Sequence, residues 1–114
     1  MRATLSSLLF FATVFSALGL TACSHRPSAA EISRGKEIFT TNCAPCHENS
    51  SISLPTPPPK LDGLFRKPTL PSGAPATDAQ VRKTITEGRG IMPEFGQSLQ
   101  PDELDALIAY LHTR

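Results

Sequence analysis

The stretch Cys43-Ala44-Pro45-Cys46-His47 limits what this chain can fold into more than any other, because it is a CxxCH motif. Two thiols with two residues between them can each bond to one vinyl group of the same haem. The histidine after the second thiol is then held close enough to reach the haem iron. The motif therefore predicts covalent haem attachment at Cys43 and Cys46, with His47 beside the iron.

A CxxC pair also occurs in zinc sites, in disulfides and in thioredoxin-like redox motifs. A zinc site needs two further ligands at regular spacing, and the sequence has no second CxxC and no HxxxH. A thioredoxin-like pair follows a strand in a βαβ pattern, and no such pattern is found here. These observations favour haem over the alternatives.

The chain has 114 residues, with 11 lysines and arginines against 10 aspartates and glutamates. This size allows one small domain, and the balanced charge gives no basic excess of the kind that binds nucleic acid. Domains this small bury only a little over half of their unfolded surface and are usually marginal without a covalent or metal staple. An attached haem would be such a staple, because helices can pack on its apolar faces.

Residues 1–22 have the pattern of a secretion signal, in which Arg2 is the positive charge and Leu5 to Leu20 form the apolar stretch. The alternative is a transmembrane helix. The uninterrupted apolar run is short for a membrane span, and few charges flank it.

The stretch Leu20-Thr21-Ala22-Cys23 resembles the bacterial lipobox, a Leu and two small residues before a Cys. The resemblance implies cleavage before Cys23 and lipidation of its thiol and its new amino group. The alternative is an ordinary signal-peptide cleavage that leaves Cys23 free. The chain has three cysteines, so one is left over after the haem pair, and lipidation accounts for it.

The predicted organisation is a lipoprotein signal peptide at 1–22, a lipidated tether at 23–30 and a folded domain at 31–114. The protein is expected on the periplasmic side of a bacterial membrane. Ser24, which is not Asp, favours the outer membrane by the sorting rule of some Gram-negative bacteria.

Three helices are predicted, and no strand. Ser28-Ala29-Ala30-Glu31 is a capping box that begins a helix ending near Asn42. A second helix begins at the cap Thr77 and ends at Gly88. A third begins at Gln100-Pro101 and carries an apolar stripe through Leu111.

The connection from Glu48 to Ala76 is long for a small domain and contains the proline run Pro55-Thr56-Pro57-Pro58-Pro59. Prolines favour extended backbone and exclude a helix interior. The apolar stretch Leu61 to Phe65 still needs burial. We therefore expect this segment to wrap one haem face, with a short helical turn near Asp62 to Phe65.

In order along the chain, these elements resemble those of a class I c-type cytochrome of the small bacterial kind. The likeness covers nearly all of 31–112 and includes the haem motif, Pro59-Lys60-Leu61-Asp62-Gly63-Leu64 and Met92-Pro93-Glu94-Phe95. It implies an all-α cytochrome c fold, with three main helices and a long loop around one covalently bound haem c.

The resemblance implies that His47 and Met92 bind the haem iron from opposite sides. A thioether ligand favours reduced iron and raises the potential. Met92 is the only methionine left once Met1 leaves with the leader. The alternatives are a core-filling role for Met92, or His25 or His112 as the second ligand.

The family also implies that the second ring nitrogen of His47 donates to a proline carbonyl, which maps onto Pro59. The family usually has Gly where this chain has Pro58, so Pro58 stays open as the acceptor. The first and last helices are expected to cross at Gly35, with Phe39 and Tyr110 around it. The candidate haem contacts are apolar and comprise Leu61, Leu64, Ile91, Phe95 and Leu107.

The function expected from this resemblance is a membrane-anchored electron carrier with a redox protein as donor and another as acceptor. No small-molecule substrate, nucleic acid or enzymatic step is expected. One alternative is a dedicated haem subunit of a membrane oxidase or dehydrogenase. The other is a haem peroxidase or sensor with an open iron site.

Overall fold

The structure is a computed structural model, and it describes residues 25–49 and 53–114. The predicted signal peptide and the lipidation site Cys23 lie outside these residues. Within them the chain forms four α-helices and one 3-10 turn, and no named strand. The helices are α1 (Ala29–Asn42), α2 (Ala44–His47), α3 (Asp78–Glu87) and α4 (Pro101–Leu111), and the turn is Leu64–Arg66.

Helix α1 begins with the predicted capping box. The Glu31 amide donates to Ser28 Oγ at 3.1 Å, and the Ser28 amide donates to Glu31 Oε2 at 3.3 Å. Two donors that the helix itself leaves unpaired are thereby satisfied. The helix ends at Asn42, as predicted, and buries Gly35 and Phe39.

The crossing of α1 and α4 is built around Gly35, as expected from the sequence. A Cβ atom at Gly35 would lie 1.9 Å from the carbonyl oxygen of Ala106 and 2.8 Å from Tyr110 Cβ. Only a residue without a side chain lets the two backbones approach this closely. Beside the crossing, the rings of Phe39 and Tyr110 pack with centroids 5.3 Å apart.

Helix α3 packs on α4 through a smaller contact. Thr77 caps it, because its Oγ1 accepts from the Gln80 amide at 3.4 Å, and Val81 and Ile85 are buried. Arg82 pairs with Asp105 of α4 at 2.7 Å. The three long helices therefore form one core cluster, with α4 shared between the other two.

The long connection is irregular, as predicted, but it is not detached from the core. Leu64 and Leu70 are buried in the core cluster. The helical turn expected near Asp62 to Phe65 lies slightly later, at Leu64–Arg66. Gly63 precedes it with φ of 65°, a left-handed conformation that favours glycine.

We expect Gly35→Ala to lower the free energy of unfolding by about 2 kcal/mol or more, because the added methyl meets a backbone carbonyl. Alanine's higher helix propensity offsets only about 1 kcal/mol of this loss. Denaturant unfolding monitored by circular dichroism measures the change. Ser33→Ala, at an exposed position of the same helix, is the control and should change stability by less than about 0.5 kcal/mol. Equal stability of Gly35→Ala and the unmodified protein would contradict the role given to the crossing.

Candidate functional site

The haem motif lies on a short helical turn that follows α1 directly. The Cys43 amide donates to the carbonyl of Phe39 at 2.9 Å, so Cys43 caps α1 and also begins α2. The amides of Cys46 and His47 both donate to the carbonyl of Cys43, at 3.2 and 2.9 Å. The two cysteines are thus one helical turn apart. Neither is in a disulfide, and Cys46 is exposed whereas Cys43 is half-buried.

The environment of Cys43 is unlike that of a redox-active thiol. Burial, with a smaller contribution from Cys46, raises the pKa of the Cys43 thiol to about 11. Cysteines that exchange disulfides or bind metal as thiolates have lowered pKa values. Within residues 25–49 and 53–114, no group of three or more His, Cys, Asp or Glu side chains is placed to hold a metal ion. Within this part of the chain, the two thiols therefore have no set of further ligands that would make a zinc site.

His47 is almost fully enclosed, with 9% of its surface exposed. Its Nδ1 lies 2.7 Å from the carbonyl oxygen of Pro59, and a carbonyl can only accept, so Nδ1 is the donor. The acceptor is thus Pro59, and the alternative, Pro58, is not used. This hydrogen bond fixes the ring orientation and leaves Nε2 as the nitrogen available to a metal.

Met92 lies in a tight loop after α3. The amide of Met92 donates to the carbonyl of Arg89 at 2.9 Å, and the amide of Arg89 donates to the carbonyl of Met92 at 3.0 Å. Two further bonds join the loop to α3, from the Phe95 amide to the Ile85 carbonyl at 3.0 Å and from the Gly96 amide to the Thr86 carbonyl at 3.1 Å.

Gly88 makes this loop possible. Its φ is 70° with ψ of 177°, a conformation close to exclusive to glycine. A Cβ atom at Gly88 would also lie 2.6 Å from the carbonyl oxygen of Met92 and 2.9 Å from the Glu94 nitrogen. The main chain that carries Met92 is therefore fixed by sterics as well as by hydrogen bonds.

The residues predicted to line a haem differ in burial. Leu61, Phe95 and Met92 are half-buried at the edge of the core cluster, and Leu64 is buried within it. Ile91 is the one large apolar side chain exposed in the described part of the chain, at 65%. Leu107 is fully covered by protein at 0%, so it belongs to the helix core and offers no surface to a haem, contrary to the expectation.

These observations together test whether a covalent haem suits the site. Two unpaired thiols lie one turn apart, beside an enclosed imidazole whose Nδ1 is already bonded. Leu61, Met92 and Phe95 are half-buried and Ile91 is exposed, so these side chains keep apolar surface that an apolar planar group can cover. The donor set and its surroundings fit a haem c held by Cys43, Cys46 and His47.

The two other histidines have partners of their own. His25 Nε2 lies 3.3 Å from Glu31 at the start of α1. His112 Nε2 lies 2.7 Å from Asp78, and its ring stacks on Phe65 with centroids 3.8 Å apart. Both side chains are exposed, and their partners Glu31, Asp78 and Phe65 lie outside the loop of Met92.

Sequence reasoning missed two residues near the motif. Lys60 Nζ donates to the carbonyl of Glu48 at 2.8 Å. Arg114 binds Glu48 and Asp62 together. The sequence did hold a signal for the burial of Arg114. It follows Leu111 by three residues and so continues the apolar stripe of α4.

The described helices include none that is both long and apolar enough to cross a bilayer.

A family model described as cytochrome C oxidase, cbb3-type, subunit III matches residues 30–111. The cbb3-type cytochrome c oxidase subunit FixP of Azorhizobium caulinodans is 42% identical over 83 residues, which cover 70% of this chain and 26% of FixP. Cytochrome c6 of Picosynechococcus is 33% identical over 109 residues, which cover 92% of this chain and 86% of that protein. The chain thus spans about a quarter of the oxidase subunit's length but most of the length of cytochrome c6.

Among solved structures, cytochrome c6 from the diatom Phaeodactylum tricornutum is similar, with a TM-score of 0.53 and 27% identity. The match covers 72% of this chain and 91% of the diatom protein. It confirms the predicted all-α cytochrome c fold.

Replacing Gly88 should disturb the Met92 loop more than replacing Gly90. Both have positive φ, 70° and 58°, but a Cβ at Gly90 meets nothing within 4 Å. Gly90→Ala should therefore lower the free energy of unfolding only by the cost of placing alanine at positive φ, about 1 kcal/mol. Gly88→Ala adds a backbone clash and should cost about 3 kcal/mol or more.

Denaturant unfolding measures both losses, and amide hydrogen exchange at Phe95 and Gly96 reports whether the loop leaves α3. Equal losses for the two variants would show that contact with the Met92 carbonyl is unimportant.

Proposed function

This chain belongs to the family described as cytochrome C oxidase, cbb3-type, subunit III, and on that premise we propose that His47 and Met92 bind the iron of its haem. The chain is a class I monohaem c-type cytochrome with one covalently bound haem c, and its activity is to carry electrons. We also propose that lipid on Cys23 anchors it to a membrane and that redox proteins are its donor and acceptor.

One observation carries the assignment of His47, the 2.7 Å hydrogen bond from its Nδ1 to the Pro59 carbonyl. Histidines that bind metal usually donate the second ring N–H to a carbonyl or carboxylate. That bond fixes the tautomer and makes Nε2 the more basic ligand. Cys43 and Cys46, on the same helical turn, would hold the haem by thioether bonds.

The second axial position is assigned to Met92. The sequence resemblance supports this, and so does a loop whose main chain is held at both ends by hydrogen bonds to itself and to α3. When bound, the haem supplies a one-electron Fe(III)/Fe(II) couple, and a methionine ligand raises its potential. If His47 and Met92 both bound the iron, no coordination position would remain open to a small molecule. The protein would then have no substrate chemistry of its own.

The membrane anchor rests on the sequence alone. Residues 20–23 fit a lipobox, and the third cysteine is otherwise without a role. One acyl chain binds a membrane only marginally, whereas several give stable attachment. Export to the periplasmic side of a bacterial membrane follows, and Ser24 favours the outer membrane.

A second function is favoured by the family description and by the identity to FixP. In this alternative the chain is a dedicated haem subunit of a membrane oxidase or dehydrogenase complex. The chemistry of the site is the same in both. The difference lies in whether the protein exchanges freely between partners or stays in one complex.

Met92→Ala should abolish the Met-to-iron charge-transfer band of the oxidised protein and let carbon monoxide bind the reduced protein rapidly. The unmodified protein should show the band and react slowly with carbon monoxide. Glu94→Gln, at an exposed position of the same loop, is the control and should keep the band. If the unmodified protein binds carbon monoxide rapidly, the iron site is open and the peroxidase or sensor alternative holds. A band that survives in Met92→Ala would exclude Met92 as the ligand.

Cys23→Ser should move the full-length protein from the membrane to the soluble fraction and abolish incorporation of labelled fatty acid. Haem staining should be unchanged, because Cys43 and Cys46 are intact. A variant that stays in the membrane and copurifies in stoichiometric amount with an oxidase or dehydrogenase core would favour the dedicated-subunit alternative. Release by Cys23→Ser without copurification would favour the lipid-anchored carrier.

A further inference from the structure

The side chain of Arg114 is unusually enclosed for an arginine, with 14% of its surface exposed. Its guanidinium carbon lies 4.4 Å from the centre of the Phe39 ring, a cation–π contact. Burial alone would lower the pKa of Arg114, but its hydrogen bonds to Asp62 and Glu48 outweigh burial and raise it. Arg114 is therefore a fixed cation at the end of α4.

The guanidinium binds two carboxylates that belong to different segments. Its Nη1 lies 2.5 Å from Glu48 Oε1, and its Nη2 lies 2.7 Å from Asp62 Oδ1. Its Nε also donates to the same oxygen of Asp62, at 3.2 Å. The hydrogen bonds from Arg114 are the leading cause of a lowered pKa at Asp62. A planar fork with several donors suits such a pair of partners, and a lysine cannot reproduce it.

Both carboxylates lie close in sequence to the two residues of the hydrogen bond between His47 and Pro59. Glu48 directly follows His47, and Asp62 follows Pro59 by three residues. Arg114 therefore connects the segment that follows His47 to the segment that follows Pro59.

Main-chain contacts extend this connection. The main-chain oxygen of Arg114 accepts from the Gly63 amide at 3.2 Å and from Arg66 Nη1 at 2.6 Å. Lys60, next to Pro59, donates to the carbonyl of Glu48 at 2.8 Å. The loop that carries Pro59 is therefore tied to the haem motif directly through Lys60 and indirectly through Arg114.

We propose that Arg114 is a positioning residue of the iron site, because its bonds to Glu48 and Asp62 hold the Pro59 carbonyl at hydrogen-bonding distance from His47 Nδ1. The inference rests on the proposed function, since it takes His47 as an axial ligand. Through that hydrogen bond Arg114 controls the orientation and basicity of the imidazole.

Arg34 provides a matched control within the same chain. It also binds two carboxylates, Asp102 at 2.6 Å and Glu103 at 3.2 Å. It differs in its place, because it joins α1 to α4 and touches neither the haem motif nor the Pro59 loop. Its side chain is 47% exposed.

The test compares Arg114→Gln, Arg114→Lys and Arg34→Gln with the unmodified haem-loaded protein. Nuclear magnetic resonance of the reduced, diamagnetic form measures hydrogen exchange of the His47 Nδ1–H. We expect exchange to be about tenfold faster or more in Arg114→Gln, as for loss of hydrogen bonds to charged groups. Arg114→Lys should lie between it and the unmodified protein, and Arg34→Gln should match the unmodified protein.

The reduction potential separates positioning from charge. A weaker hydrogen bond at Nδ1 makes His47 less basic, stabilises reduced iron and raises the potential. Loss of a nearby positive charge alone lowers the potential. Arg114→Lys keeps the charge, so we expect its potential to rise. If Arg114→Gln does not fold with haem, both the hydrogen exchange and the reduction potential are measured on Arg114→Lys.

Unchanged exchange of the His47 Nδ1–H in both Arg114 variants would overturn the proposal, as would equal acceleration in Arg34→Gln. In either case the unmodified protein would still show the spectrum of a haem with a histidine ligand. These outcomes can therefore be distinguished from failure of the proposed function. If the unmodified protein shows no histidine ligand, both proposals fall together, and its spectrum alone reveals this.

Discussion

The close approach of Gly35 to the carbonyl group of Ala106 sets how α1 and α4 cross, and the other elements take their places from that crossing. Helix α1 leads directly into the haem motif, because Cys43 caps α1 and begins α2. Helix α4 leads to Arg114, which binds the segments on both sides of the His47–Pro59 hydrogen bond. The crossing therefore fixes where the haem motif begins and where Arg114 lies relative to it.

The proline run explains why the meeting point is a carbonyl. Residues 55–59 are four prolines and one threonine outside any helix or strand, so this backbone has few amide donors and no hydrogen bond is found within it. Its carbonyl oxygens stay free to accept from elsewhere, and Pro59 accepts from His47. The same lack of local bonding means that other contacts must hold the loop in place. Lys60 and Arg114 make such contacts with Glu48.

The sequence predicted those features whose causes lie close together along the chain. The Ser28 capping box and the Thr77 cap both follow from residues three positions apart, and both are present. The Gly35 crossing was also predicted, because the family resemblance supplied its long-range partner.

Leu107 and Arg114 show what sequence patterns leave open. The apolar stripe of α4 predicted that Leu107 faces inward but not whether haem or protein covers it. Arg114 was missed because its partner Asp62 lies 52 residues away in the chain. Sequence patterns do not indicate which charged residues pair over such a distance. Such pairings depend on how loops lie in space. Periodicity and capping rules describe only local geometry.

If Met92 binds the iron as proposed, the loop that carries it would affect how fast the thioether can leave. Four main-chain hydrogen bonds hold the loop, two within it and two to α3. Moving the loop means breaking these bonds together, whereas a side chain on a fixed backbone rotates on the picosecond to nanosecond scale. If Met92 binds the iron as proposed, dissociation of its thioether would be a side-chain rotation on a fixed backbone. The sulfur would stay within reach of the iron and could rebind before the backbone moved.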